Sequence, residues 1–449
     1  MPGNATRFVA PGTTVAAPPP SNTRWVVCAL LFAATTINYI DRSVFSLLES
    51  QLHGVAFMGW NPAADAHHQP IFDSNFGDVI IWFQIAYGVG LLLAGRVVDR
   101  LGTKTGYALA IGVWTLASFG HGLVGSVLGF CVARVVLGLG EAGNFPAAIK
   151  ATTEWFPVEE RGKAVGLFNS GSNVSSFIAP AMVAWVTARY GWRAAFFVTS
   201  SMGFVWLAAW FAFPYERLRG ASTQTATNLA ADSASAPTPL SVLLRRRGFY
   251  AFCIAKGLTD PVWWFYLFYL PQFLDRNYGL DLSHAYWEIV CVYAAASVGS
   301  IGGGSLSGRQ MRRGHSVNRG RKFAMLVCAL AVVPVMLVPK FGVMFPGNPW
   351  PATLLIALAA AAHQGWSANL YSTSGDMFPS TAVATVAGIG GATGAAGGAA
   401  FTWLVKHNFS LHPLLIFAIA GSAYLVALGI FHLLVPRLGL NTPTRSATT

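Results

Sequence analysis

The sequence predicts an all-α polytopic membrane protein, with twelve transmembrane helices in two pseudo-symmetric six-helix bundles, and three observations carry the prediction. Its residues are 54% hydrophobic, with mean hydropathy +0.51, and only 10% are charged, far below the roughly 25% of soluble domains. Twelve stretches approach the about 20 mostly apolar residues needed to cross a bilayer. The two halves of the chain also repeat each other at corresponding loops.

In chain order, six stretches fall at 25–48, 78–95, 105–123, 126–148, 162–188 and 194–213. Six more follow at 248–274, 286–307, 322–340, 351–377, 381–405 and 411–435. Residues 1–23 are rich in Pro, Ala, Thr and Gly, with no long apolar core before a cleavage site, so they read as a disordered cytoplasmic tail rather than a signal peptide. Bundles are therefore expected at 24–213 and 248–436, joined by a flexible cytoplasmic linker at 214–247, with a second tail at 437–449.

Charge sets the orientation. With the N-terminus inside, 21 Lys/Arg fall in inner loops and tails, 5 in outer loops and 3 within helices, namely Arg42, Arg134 and Lys256. That bias places both termini on the cytoplasmic side. The net charge of +12 belongs to this topology and not to a nucleic-acid face, because the charges sit in short loops between apolar segments. The first outer loop, Glu49 to Gly77, contains no Lys or Arg. Five cysteines lie in or beside apolar segments with no CxxC or Cys/His cluster, so neither a disulfide framework nor a metal site is expected.

Charges inside apolar helices are the strongest functional pointers. Each costs about 2.5 to 3.5 kcal/mol near the bilayer centre on insertion scales, so such residues usually face a bundle interior or wet cavity. Arg134, Gly138 and Glu141 fall at i, i+4 and i+7, which puts both charges on one helix face roughly 10 Å apart. Depth along the first and fourth helices brings Asp41 level with Arg134 and sets Glu141 nearer the cytoplasm, so Asp41 and Arg134 are expected to pair. The alternative is a structural ion pair that only clamps helices.

The repeat is visible in two places. Gly95-Arg-Val-Val-Asp99-Arg100-Leu-Gly102-Thr-Lys104 follows the second helix, and Gly304-Ser-Leu-Ser-Gly308-Arg309 to Gly314 follows the eighth. Glu154-Trp-Phe-Pro157, with Gly166 nine residues on, matches Asp376-Met-Phe-Pro379, with Gly388 nine residues on. A duplicated bundle places a binding site between its halves near the midplane, about which the halves rock.

The loop Gly95 to Lys104 resembles the loop between helices two and three of the major facilitator superfamily, and the copy at Gly304 fits its second half. Asn38-Tyr39-Ile-Asp41-Arg42, Arg134 to Pro146 and Asn169-Ser-Gly-Ser172-Asn173 resemble the anion:cation symporters that import sugar acids. Lys256 to Tyr266, and Ala362-His363-Gln364-Gly-Trp366-Ser-Ala-Asn369, are similar to bacterial hexuronate transporters. The resemblance implies a monomeric, proton-coupled importer of a small organic anion, working by alternating access, with no cofactor beyond the proton. It also implies proton coupling at Asp41 and Glu141, with Arg134 beside them, substrate binding at Arg42, and a latch formed by Asp99, Arg100 and Lys104.

A uronate's carboxylate and hydroxyls call for a fixed cation, amides and an aromatic platform. Arg42 is the expected carboxylate partner because its guanidinium makes a two-point contact and stays charged. Lys256 is the second candidate, or is neutralised by Asp260 four residues on. Hydroxyl contacts are expected from Tyr39, Gln84, Tyr87, Asn169, Ser172, Asn173, His363, Gln364, Trp366 and Asn369, and a sugar face from Trp263, with Trp264, Tyr266 and Tyr269 nearby. Amides and hydroxyls such as Asn169 and Ser176 equally suit helix-to-helix bonds. Pro261 and Pro271 are expected to permit bending, and the glycines of the eleventh helix to provide close packing. No nucleophile with a base, metal cluster or cofactor loop points to an enzyme. Another organic anion is the nearer alternative substrate, and a polyspecific exporter the more distant reading.

Overall fold

The computed structural model describes residues 21–59, 65–221, 236–280, 285–408 and 413–438. The expectations for most of the two tails and for the linker centre, 222–235, fall outside the described residues. Among those described there is no strand. Span 1 is Ser21–Leu47, span 2 Asp65–Leu101, span 3 Thr103–His121, span 5 Val158–Tyr190 and span 6 Trp192–Ala212. Span 4 is broken into Val127–Glu141 and Asn144–Trp155. In the second half, span 7 is Arg247–Tyr278, span 8 Tyr286–Arg312, span 10 Trp350–Met377, span 11 Ser380–Asn408 and span 12 Pro413–Leu434. Span 9 runs Val317–Val332, then a 3-10 turn at Val333–Leu337, then Val338–Met344.

Eight of the described spans are long and apolar enough alone to cross a bilayer. Spans 3, 5, 7 and 10 are less apolar, and the last three bury polar side chains such as Asn169, Lys256 and His363. Large apolar side chains on the outside of the bundle, among them Leu128, Val205 and Val298, are exposed, as lipid contact requires.

Local chemistry explains the interruptions. Pro146 has no N–H to return to Ala142, and flanking Gly140 and Gly143 hold the backbone weakly, so span 4 breaks immediately after Glu141. Pro334 and Pro339 likewise tighten span 9 into its 3-10 turn. Pro261 and Pro271 both lie within one continuous helix, span 7. A Cβ at Gly397 would lie 3.0 Å from the Pro261 ring, so this proline packs against span 11.

The first outer loop is also more ordered than expected. It contains a helix at Glu49–His53 and a 3-10 turn at Ala56–Met58, and span 2 begins at Asp65. A separate apolar cluster, with Phe45 stacked 4.7 Å from Phe76 and further packed on Phe72 and Phe130, carries the helices beyond the predicted boundary.

The halves meet along spans 5 and 8 and along spans 2 and 11, and the sequence repeat becomes a pseudo-twofold set of backbone contacts. A Cβ at Gly95 would overlap the Ala384 carbonyl, and one at Gly304 would overlap the Gly162 carbonyl. Gly166 abuts the Ser300 carbonyl, and Gly388 abuts that of Leu91. Ala384 and Gly162 stand five residues after Pro379 and Pro157, and Gly388 and Gly166 nine residues after. Matching positions therefore make matching contacts.

These contacts lie at the end of the bundle that carries the linker, the linker face. Asp99 is buried there and accepts from Thr385 N–H at 2.8 Å, Thr385 Oγ1 at 2.6 Å and Ala384 N–H at 3.4 Å, while Lys150 Nζ lies 3.0 Å away. Asp376 pairs with Arg161 at 3.1 Å and with Arg321 at 2.8 Å, so it also joins the halves. The rest of the expected latch is corrected. Arg100 is exposed, and Lys104 donates to the Phe213 carbonyl within its own half at 3.2 Å. The described end of the linker crosses this face, where Thr238 N–H donates to Thr381 O and the Thr238 carbonyl accepts from Arg96.

Asp99→Ala strands the Lys150 ammonium and two backbone donors, a loss of about 3 kcal/mol for breaking a buried pair, on the order of 100-fold in the ratio of clasped to open forms. In a background lacking the native cysteines, a cysteine at Ala387 should then react faster with a thiol reagent applied from the linker face. Unchanged reactivity would remove Asp99 from the clasp. Gly166→Val should lower thermal stability, because its side chain must displace the span 8 backbone.

Candidate functional site: a charged cavity between the halves

A cavity of about 100 Å³ lies where the two bundles meet. Span 1 contributes Tyr39 and Arg42, span 2 Tyr87 and Leu91, span 4 Phe145, and span 5 Asn169 and Ser172. From the other half come Lys256, Asp260, Trp263 and Trp264 of span 7, then His363, Gln364, Ser367 and Tyr371 of span 10, with small residues of span 11 opposite. Phe145 and Tyr371 stack across the halves at 5.6 Å and close the cavity toward the linker face.

The charge centre of the first half is Arg42. Its Nε lies 2.8 Å from Glu141 Oε2, and its side chain is 21% exposed while that of Glu141 is fully buried. The guanidinium is held over Tyr87 at 4.4 Å and Tyr39 at 4.8 Å, an arrangement that fixes a cation without consuming its donors. Among the described residues, Arg42 Nη2 and Glu141 Oε1 have no hydrogen-bond partner. Both sides of the pair retain capacity for a further ligand.

This pairing corrects the expected one. Asp41 accepts from Ser118 Oγ at 2.9 Å instead of pairing with Arg134. Arg134 lies over Phe45 at 4.5 Å and Phe83 at 5.3 Å, with Nη1 3.5 Å from the Arg42 carbonyl. Asp41, Arg134 and Glu141 are all buried, so the shared inward face of Arg134 and Glu141 is as predicted. Equal depth did not make Asp41 and Arg134 partners, because Ser118 of span 3 holds Asp41 while the rings of Phe45 and Phe83 hold Arg134.

The second half carries its own centre. Lys256 Nζ lies 2.6 Å from Asp260 Oδ2 and 4.0 Å from the Tyr371 ring centroid. Both readings of Lys256 therefore meet, since the residue lines the cavity and is paired within its helix. His363 stacks face to face on Trp263 at 5.3 Å, and its Nδ1 is 2.6 Å from the Tyr424 hydroxyl. Asn169 Nδ2 donates across the halves to Gln364 Oε1 and Ser300 Oγ, and thus joins bundles while it lines the cavity.

Four expected binding residues lie elsewhere. Gln84 is exposed and Asn173 is buried, both away from the cavity lining. Trp366 is buried with Nε1 donating to Thr259, and Asn369 donates to the Gly303 and Gly365 carbonyls. These last two hold span 10 against spans 7 and 8. Of the aromatics near Trp263, Trp264 lines the cavity, Tyr266 is buried away from it, and the side chain of Tyr269 is outside those described. Sequence reasoning missed Phe145, Ser367 and Tyr371, although His363, Ser367 and Tyr371 recur every four residues. Among the described residues no group of three His, Cys, Asp or Glu is gathered for a metal.

Comparison with known proteins agrees with this architecture. The chain is 30% identical over 400 residues to the hexuronate transporter of Escherichia coli K12, covering 86% of each. It is 29% identical over 294 residues to the galacturonate transporter of Dickeya chrysanthemi, covering 63% of this chain and 80% of that one. Among solved structures, the proton:xylose symporter XylE superposes with a TM-score of 0.74 at 14% identity, covering 93% of this chain and 97% of that one, which is a likeness of fold. The sequence model of the Major Facilitator Superfamily matches residues 31–402. With twelve spans among the described residues and a cavity between two repeated halves, the chain belongs to the major facilitator superfamily and is a membrane transporter, not an enzyme.

Proposed function

We propose that this transporter is a proton-coupled importer of a sugar acid, with a hexuronate such as glucuronate or galacturonate as its substrate. The observation that carries the reading is Arg42 in the cavity wall with Glu141 paired behind it, supported by the names of the relatives that cover most of the chain. A carboxylate substrate needs a guanidinium, and here the guanidinium is held by a carboxylate that a proton can neutralise. With Glu141 ionised, Arg42 is occupied. Once Glu141 takes a proton, the ion pair weakens and Arg42 turns its two-point donor edge to the substrate carboxylate.

The roles of the other residues follow from their positions. Asp41, buried behind the pair, passes the proton between Glu141 and the open side, while Arg134, buried beside it and permanently charged, carries no proton and supplies a fixed positive field. Trp263, stacked on His363, gives the sugar a flat face, while Tyr39, Tyr87, Asn169, Ser172 and Gln364 supply hydroxyl contacts. The Asp99 clasp holds the linker face shut while the opposite side loads. In this reading the linker face and both termini lie in the cytoplasm, the chain sits in the inner membrane as a monomer, and the halves tilt to release substrate inward. A dicarboxylate sugar acid is the second reading, favoured by Lys256, which places a second cation in the same cavity.

Uptake of labelled glucuronate into vesicles decides between the readings, measured with and without an imposed pH gradient and in competition with galactonate, glucarate and benzoate. Stimulation by an inward proton gradient and strongest competition from hexuronates are expected. Glucarate as the strongest competitor would favour the second reading, and indifference to the gradient would remove the proton. Glu141→Gln should exchange substrate between compartments yet fail to concentrate it, so retained accumulation would dismiss Glu141 as the coupling group. Arg42→Lys loses two-point geometry, worth about 1.5 to 3 kcal/mol for charge-assisted bonds, and should weaken apparent affinity roughly 10- to 100-fold. Near-normal uptake would transfer the substrate carboxylate to Lys256.

A further inference from the structure

A second cavity, of about 600 Å³, opens at the linker face between the start of span 7 and the ends of spans 10 and 12. Arg245, Arg246, Arg247 and Arg437 line it, with Phe378 and Leu434 among its apolar walls. Among the described residues no carboxylate lies within ion-pair distance of any of the four guanidinium groups. Asp376, next to the lining residue Met377, is buried and already held by Arg161 and Arg321. Lys322 fixes the chain end by donating to the Val435 and Pro436 carbonyls, which adds a fifth positive charge beside the cleft.

Four like charges gathered around one cleft repel each other, and a bound anion relieves that repulsion. Guanidinium groups favour phosphate in particular, because two N–H donors match two phosphate oxygens. Position selects among phosphates. The arginines sit where span 7 enters its apolar run, and Tyr250 and Ile254 on span 7 and Leu433 on span 12 are exposed beside them at 45%, 38% and 75%. A basic cleft that continues into an exposed apolar helix surface matches a molecule with an anionic head and acyl chains.

We propose that this cleft binds the phosphate of an anionic diacyl phospholipid, of the phosphatidylglycerol or cardiolipin class, with acyl chains lying along spans 7 and 12. Its occupant touches only the second half and adjoins Met377, the neighbour of Asp376. The lipid therefore holds the end of span 10 in the position where Asp376 joins the halves.

Native mass spectrometry of the purified full-length transporter, titrated with phosphatidylglycerol or phosphatidylcholine of matched chains, tests this directly. The unsubstituted protein should bind phosphatidylglycerol at least about ten-fold more tightly, given that each arginine near a membrane surface contributes about five-fold. R245Q/R246Q/R247Q/R437Q should lose the preference, while R309Q/R312Q/R313Q, which removes charge elsewhere on the same face, should keep it. Equal affinity of the unsubstituted protein for both lipids would overturn the proposal without recourse to any variant. Preference retained in the four-fold variant would also overturn it. Inorganic phosphate displacing phosphatidylglycerol at equal concentration would make this a soluble-anion site and overturn the lipid assignment.

Discussion

The ion pair between Arg42 and Glu141 constrains everything around it. Glu141 is fully buried and Arg42 partly so, and the desolvation they undergo offsets much of their attraction, so the pair adds little to stability. Its value lies in what happens when one member changes. In the proposed cycle, a proton on Glu141 or an anion beside Arg42 would each remove a partner from the other, which would link the two ligands through one contact. Such linkage is reciprocal, because whatever factor the proton adds to anion affinity, the anion adds to proton affinity. The surrounding aromatic rings keep Arg42 near the cavity throughout, so the guanidinium does not escape when Glu141 lets go.

Coupling of this kind moves nothing unless the scaffold has two discrete arrangements. The contacts between halves are made by backbone against backbone at Gly95, Gly166, Gly304 and Gly388, where no side chain intervenes. Close approach without interdigitating side chains gives surfaces that part as units, which suits rigid-body tilting of bundles. Glu141 sits at the one break in span 4, so the residue proposed to take the proton also occupies the place where its helix is interrupted.

Much of this was legible in the sequence. Hydropathy located the spans, and the paired spacings after Pro157 and Pro379 anticipated contacts that the fold realises at equivalent positions. The inward face of Arg134 and Glu141 followed from 3.6-residue periodicity. What remained hidden was direction within the interior. At about 100° per residue, His363, Gln364, Ser367 and Tyr371 fall within one arc of roughly 100°, whereas Asn369 lies about 120° away and meets span 8. Both faces of span 10 are buried, so polarity alone did not separate the cavity face from the packing face. Depth along a helix likewise fixed the level of Asp41 and Arg134 but not whether they turn toward each other.

The repeat is imperfect at an informative place. Position five of the first loop motif is Asp99, and the same position in the second is Gly308, whose missing side chain lets the Glu159 carbonyl approach. One half thus closes the linker face with a buried acid that accepts from backbone N–H groups, and the other with bare backbone contact. Asp376 restores an acid to the second half through Arg161 and Arg321, while its counterpart Glu154 turns aside to Thr103, Tyr215 and Arg219. Beside Glu154 the Tyr215 hydroxyl, buried and facing that carboxylate, is pushed far above the ordinary phenol range and stays protonated as a donor. Duplication therefore supplied two equivalent faces, and divergence assigned one acid to joining the halves and the other to anchoring the start of the linker. The described far end of the linker touches both halves, since Thr238 donates to Thr381 of the second and accepts from Arg96 of the first.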